Sequence, residues 1–366
     1  MEINGNRTPK SSDSFGSLLN RSEWLLVFAS GCGAALLKLL FATRRGFWLD
    51  EYYTLQAASL PLPELIADRL AAGHSPLPFF YARVFHEVLG NSELALRSSS
   101  ALAAFAVVFG CAGLLAQLRL RHALAPLLLM APFVPFWQEI GNEFRYTMPL
   151  VAVGSFWAWA LVRWWQSRSW GSAAATTLLG ALALWTHGSA QFIALAFVAF
   201  PFVAAWLHPK GERPWRRAAV AIVPVLAAFL LSVPLLLMLG KSKESRGGRG
   251  APQLDTLINN QVKAFYGEEE VLQALIGGRK EVSMAAMLAV AGATLAVAGF
   301  SLRRQRHRDL PALLIAVHLA IPIGLAVYTM VAKDVQKPAR YTAFSSVPLL
   351  LAFAVAWTEA ARWAKA

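Results

Sequence analysis

Trp48-Leu49-Asp50-Glu51-Tyr52-Tyr53-Thr54 follows the first long apolar segment of the chain and sets two adjacent carboxylates at its end. Ionisable groups at membrane depth or at the bilayer face are costly, and they mark functional sites by default. Trp48, Tyr52 and Tyr53 frame the pair with aromatic rings of the kind that anchor at the headgroup level. The stretch therefore reads as the rim of a membrane protein, provided the rest of the chain supplies a membrane domain.

Composition supplies it. Of 366 residues, 57% are hydrophobic and 15% are charged, whereas soluble globular domains carry about 25% charged residues. Apolar runs recur near the length that a bilayer crossing demands, about 20 residues. The fold class expected is an all-α polytopic membrane protein. The net charge of +13 reads as loop charge facing anionic lipid; without a separate basic stripe, nucleic acid is not an expected partner. Cys32 and Cys111 lie inside apolar runs, which suggests neither a disulfide framework nor a zinc knuckle. Residues 1–20 are polar and serine-rich, without an apolar core before a small-residue cleavage site, which argues against a removed signal peptide.

Apolar length predicts about ten spans, near residues 24–43, 97–117, 122–137, 145–165, 171–187, 190–207, 217–239, 282–302, 310–332 and 341–360. The third is broken by Pro126, Pro132 and Pro135, so a kinked or partial crossing is expected. The fifth and sixth are parted only by Thr186-His187-Gly188-Ser189. Two helices fit better than one, because a single span there would far overshoot the hydrocarbon thickness. Short connections rich in Arg and Lys, such as Arg119/Arg121, Arg163/Arg168 and Arg216/Arg217, define the cytoplasmic side. The expected division is a cytoplasmic tail over 1–22 and a single transmembrane domain over 23–366. Both termini are then inside, in the inner membrane of a bacterium, and Asp50-Glu51 faces out.

Two outward loops are long, about 44–96 and 241–281. In the first, Pro63–Leu70 and Pro78–Phe85 each open with proline and carry apolar residues near helical spacing. They are expected as amphipathic helices on the membrane face. The second begins with Gly247-Gly248-Arg249-Gly250, a flexible stretch, and 254–276 reads as a further surface helix.

An ordered set of motifs runs along the outward side. After W-x-D-E-x-x-T around Asp50-Glu51 come His74-Ser75-Pro76-Leu77, then Leu96-Arg97-Ser98-Ser99-Ser100, Glu143-Phe144-Arg145-Tyr146 and Ala339-Arg340-Tyr341. The set resembles the multi-span glycosyltransferases of the GT-C fold, in the group of the protein O-mannosyltransferases and aminoarabinose transferases. It differs from them in having Ser75 where a second proline is common, and in the adjacency of Arg145 and Tyr146. The resemblance implies a GT-C-like helical bundle and transfer of a sugar from a polyprenyl-phosphate donor to a lipid, glycan or protein hydroxyl. It implies no required cofactor; a divalent metal is admissible but not indicated.

The residues fit that chemistry on their own terms. Transfer needs a base for the acceptor hydroxyl, which a rim carboxylate supplies. It also needs positive charge on the departing phosphate, which an arginine fork supplies. Asp50 and Glu51 are the catalytic candidates, and the sequence leaves open which points inward. The alternative is a rim pair solvated or bound to Arg44 or Arg45. Glu143 and Arg145 are candidate donor or phosphate ligands, against the plainer reading of a turn with a local ion pair. Arg340 and Tyr341 are candidates of the same kind, against an interfacial anchor. His74 is a candidate for donor or acceptor binding. His187 with Ser189 lacks a nucleophile-elbow pattern, and His318 reads as a helix–helix hydrogen bond. The competing class is a transporter or flippase, for which the inverted repeats common in such carriers are not seen.

Overall fold

A computed structural model of the protein describes residues 19–44, 46–207, 214–240, 309–332 and 343–364. The expected loop over 241–281, the expected span over 282–302, and Arg340 with Tyr341 lie outside the described residues. Every regular element among the described residues is helical. Helix α1 covers Arg21–Phe41, α2 Leu49–Ala58, α3 Leu62–Ala71, α4 Leu77–Leu89 and α5 Glu93–Gln117. Short helices α6 (Leu124–Met130) and α7 (Pro135–Gly141) follow, then α8 (Thr147–Ser167), α9 (Trp170–Thr186) and α10 (Ala190–Leu207). Next come α11 (Pro214–Ala221), α12 (Val223–Gly240), α13 (Asp309–Ala332) and α14 (Ser346–Trp363).

Among the described residues, five stretches are long and apolar enough to cross a membrane: α1, α5, α10, the α11–α12 run over Pro214–Leu239, and Ala343–Trp363. Helices α8 and α9 pack between α5 and α12, and α10 packs along α13. Without a hydrophobic drive between helices in lipid, close approach through small residues holds such bundles together. A Cβ added to Gly110 of α5 would fall 2.0 Å from the Ser155 hydroxyl of α8, and one on Gly113 would fall 2.4 Å from the Trp159 ring. Glycine is thus what lets α5 and α8 touch.

The proline-broken third span is indeed in pieces. Two 3-10 turns, Arg121–Ala123 and Ala131–Phe133, flank α6, and Pro135 opens α7 where its missing N–H costs nothing. The apolar run over 171–207 divides at His187, as its length required. His318 departs from expectation. Its Nδ1 lies 2.9 Å from the Leu314 carbonyl of its own helix, one turn back, and among the described residues it makes no helix–helix link.

The segment 44–96, expected as an outward loop, is more ordered than a pair of surface helices. The Asp50-Glu51 stretch is itself a helix, α2, whose first turn holds both acids where the helix dipole favours them. Helices α3 and α4 match the two proline-led segments. Helix α4 folds back on α2 and α5, and the Tyr81 hydroxyl donates to the Ser99 carbonyl at 2.8 Å. The end of the bundle carrying α2–α4 also carries the α7–α8 turn and the α9–α10 turn. At the opposite end, Gln117 bonds Gln166 at 2.7 Å, and Gln166 donates to Asp309 at 2.9 Å.

Candidate active site

The two carboxylates that the sequence left interchangeable go to different places. Glu51 is fully buried. Arg97 meets it side-on, Nε to Oε1 at 2.9 Å and Nη2 to Oε2 at 2.8 Å. The Phe144 N–H donates to Oε1 at 2.7 Å and the Trp48 N–H to Oε2 at 3.3 Å. Four donors thus occupy the two oxygens. Arg97 in turn donates to the carbonyls of Ala42 and Gly46, and its guanidinium lies 5.1 Å over the Phe47 ring. This node ties the end of α1, the start of α2, α5 and the α7–α8 turn together. Of the two carboxylates that the sequence left as alternatives, Glu51 is the one enclosed by protein donors.

Asp50, one residue earlier, points the other way round the helix. Its side chain is 41% exposed and accepts from Arg145 Nη1 at 2.8 Å, while Arg145 itself is only 15% exposed. The contact joins α2 to the α7–α8 turn. Arg145 also lies over the rings of Trp48 (5.0 Å) and Tyr146 (5.3 Å). Burial works against its charge, but Tyr146, the Asp50 hydrogen bond and the nearby Asp50 and Glu143 carboxylates hold it protonated above its ordinary value. Glu143 is buried, and its carbonyl accepts from the Ser100 hydroxyl. The plainer reading, a local Glu143–Arg145 ion pair, is not what forms: Arg145 reaches across to α2 instead.

Behind Arg145 the Tyr146 ring stacks on His187, 3.8 Å apart and 6° from parallel. The His187 Nδ1 lies 3.1 Å from the Ser189 N–H and 2.9 Å from its hydroxyl. A backbone N–H only donates, so Nδ1 is the bare nitrogen and the ring proton sits on Nε2. Burial first, then the charges of His74 and Arg145, push the His187 pKa down to about 3. The imidazole is therefore neutral across physiological pH. Burial likewise pushes the Tyr146 phenol up to about 12. His74 is exposed at the edge of this group, and the next residue, Ser75, anchors its loop by donating to the Trp185 carbonyl at the end of α9.

A narrow crevice of about 10 Å³, room for about one water, opens here, lined by Thr54 of α2, Phe79 and Tyr81 of α4, Ser99 of α5, and Arg145 and Tyr146. Its walls are aromatic with a few hydroxyls and one guanidinium. Among the described residues no three His, Cys, Asp or Glu side chains gather as a metal site. The structure thus brings Asp50, Arg145 and Glu143 together, sets His74 nearby, and places Glu51 in the node beneath. Arg97, noted only as part of the ordered motif set, and His187, weighed only as a hydrolase candidate, were assigned no role in this site by the sequence. Arg97 carried a further signal, a charged residue four positions after Glu93 at the start of an apolar helix; its buried partner could only be seen in the fold.

The fold and the site define a polytopic helical membrane protein whose polar centre sits at one end of the bundle, between a juxtamembrane helix and the α7–α8 turn. The fold is the GT-C fold of ArnT. The structure of ArnT from Cupriavidus metallidurans bound to undecaprenyl phosphate matches with a TM-score of 0.56 at 16% identity, over 92% of this chain and 60% of that one. The apo state of the same protein matches with a TM-score of 0.47 at 16% identity, over 94% and 60%. The chain thus spans about 60% of the length of the ArnT chain. No protein-family model and no curated protein matches the sequence.

Proposed function

We propose that this protein is a membrane glycosyltransferase that moves a sugar from a polyprenyl-phosphate donor to an acceptor hydroxyl at the outer face of the membrane. The observation that carries the reading is the 2.8 Å contact between Asp50 and Arg145 beside the crevice. It sets a half-exposed base and a phosphate-matching fork at one point. The binding of undecaprenyl phosphate by a protein of the same fold supports the donor class.

The step balances as an in-line displacement. Asp50 takes the proton of the acceptor hydroxyl as that oxygen forms a bond to the anomeric carbon. The bond from that carbon to the phosphate oxygen breaks, and its electron pair leaves on the lipid phosphate, inverting the anomeric centre. Arg145 stabilises the charge that develops there. The Asp50 carboxylate is occupied by Arg145, so the donor itself completes the site. Its phosphate competes for Arg145 and loosens the grip on Asp50. Neutral His187, stacked on Tyr146, keeps the wall behind Arg145 free of a second cation. Glu51 positions the machinery without touching substrate, by fixing the start of α2 through Arg97 and Phe144. The acceptor is a lipid, a glycan or a protein.

Release of free polyprenyl phosphate from a polyprenyl-phosphate sugar, by purified protein in lipid nanodiscs, is the direct test. Lipid movement across a vesicle membrane without any release would replace this reading with that of a flippase. For orientation, a cysteine at Gly90 in a Cys32→Ser background should react with an impermeant thiol reagent from outside, and one at Ser169 should not.

A further inference from the structure

The opposite end of the bundle holds a second charged cluster that plays no part in the chemistry above. Helix α8 stops at Ser167, and Arg168 turns the chain with a left-handed φ of 57°. Its Nη2 donates to the Arg217 carbonyl at 2.7 Å, and Arg217 Nη2 donates back to the Trp165 carbonyl at 2.9 Å. Both guanidiniums lie on one ring: Arg168 is 5.3 Å and Arg217 4.8 Å from the Trp165 centroid, and Arg168 is also 5.0 Å from that of Trp164.

Two like charges on one indole repel. Burial first, and then the Arg217 charge, bring the Arg168 pKa down to about 10. Among the described residues no carboxylate forms a salt bridge with either arginine. The nearby acid, Asp309, is occupied by Trp165 Nε1 at 3.2 Å and by Gln166. Arg168 Nη1 is buried without a hydrogen-bond partner among the described residues. The rings hold the cations in place, but among the described residues no carboxylate neutralises them. Such a pair is built for an anion from outside, since a guanidinium fork matches phosphate oxygens.

The surroundings say which anion. Trp170, 89% exposed, and Trp215, 55% exposed, flank the pair, as aromatic anchors do at the headgroup level. The 21 residues of α8 put the cluster about 30 Å from Arg145, close to one hydrocarbon thickness. We propose that Arg168 and Arg217, on their tryptophan platform, form a binding site for the phosphate of an anionic phospholipid in the leaflet opposite the candidate active site. The assignment stands whether or not the protein transfers sugars. A bound headgroup would screen the arginine pair and clamp the α8–α9 turn to the start of α11.

Native mass spectrometry of protein taken from nanodiscs of phosphatidylglycerol and phosphatidylcholine tests it. The wild type should keep one phosphatidylglycerol in preference to phosphatidylcholine. Arg168→Gln/Arg217→Gln should weaken that retention roughly tenfold or more, the scale of losing a charge-assisted hydrogen bond. Arg168→Lys/Arg217→Lys should fall between, and Arg121→Gln, at the same end, should behave as wild type. Equal retention of both lipids by the wild type overturns the proposal without any variant having to fold. So does full retention by the double Gln variant. Stabilisation by millimolar inorganic phosphate equal to that by phosphatidylglycerol would make the site one for free phosphate and overturn the lipid assignment.

Discussion

Glu51 and Arg97, 46 residues apart in sequence, meet in a two-pronged ion pair with neither side chain reaching the surface. Removing one partner of a buried pair leaves the other uncompensated and costs about 3–5 kcal/mol, whereas replacing both by apolar groups is often close to neutral. Glu51→Gln should therefore lower the thermal midpoint in detergent and reduce the yield of folded protein. Glu51→Leu/Arg97→Met should recover part of that loss. The folded fraction of Glu51→Gln should keep more turnover than Asp50→Asn. If it is fully folded yet inactive, Glu51 belongs to the chemistry after all.

His187 gives the fold a defined acid sensitivity. Its pKa is depressed to about 3 in the native state, against about 6.5 in an unfolded chain. Below 6.5 the unfolded state takes up a proton that the native state refuses, so stability present at pH 7 is lost progressively as the pH falls from about 6.5 toward 3. His187→Asn keeps an acceptor near the Ser189 N–H but cannot titrate. Thermal midpoints measured from pH 7 to pH 5 should fall less steeply for the variant. Parallel slopes would mean that other groups carry the acid response.

How far the sequence could be read follows from what each feature depends on. The membrane class, α1, α5, α10, the proline breaks in α6–α7 and the split at His187 depend on local apolar length and on proline or polar punctuation, and all were legible. So were the proline-led helices α3 and α4. That Asp50-Glu51 starts a helix was not read, although Glu51 three residues after Trp48 is where a side chain returns to the first free N–H. Which acid is buried and which stays half-exposed depends on Arg97 and Arg145, supplied by α5 and the α7–α8 turn far along the chain. Periodicity carries no information about such pairings. The stacking of Tyr146 on His187 is hidden for the same reason.

Lys38 sits fully buried in the last turn of α1, its amine without a hydrogen-bond partner among the described residues. Its stem lies against Gly141, where an added Cβ would come within 2.5 Å of the lysine Cε. An unsatisfied buried polar group costs about 1–3 kcal/mol. Lys38→Met keeps the stem length and removes that cost, so the thermal midpoint should rise. Gly141→Ala overfills the same space and should lower the midpoint, at a cost in stability on the order of 1–3 kcal/mol. A marked loss of stability in Lys38→Met would show that the amine holds a partner the fold needs.

The Asp50–Arg145 contact makes two demands of the reaction that pull in opposite directions. As the base, Asp50 is needed for turnover, and Asp50→Asn should slow release of polyprenyl phosphate by about 100-fold or more. As the resting partner of Arg145, Asp50 competes with the donor phosphate for the same fork. The asparagine variant should therefore bind polyprenyl phosphate at least as tightly as the wild type, while being far slower. Arg145→Ala should weaken that binding and lower turnover as well, because the contact strengthens as charge moves onto the phosphate. Arg145→Lys should recover only part of both, since a point charge cannot reproduce the two-pronged geometry. Binding by scintillation proximity and turnover by lipid-phosphate release, on variants matched for folded monomer, separate these effects. If Asp50→Asn loses binding and turnover together, Asp50 holds the donor and is not the base. If it keeps both, the proton goes elsewhere and the proposed mechanism fails.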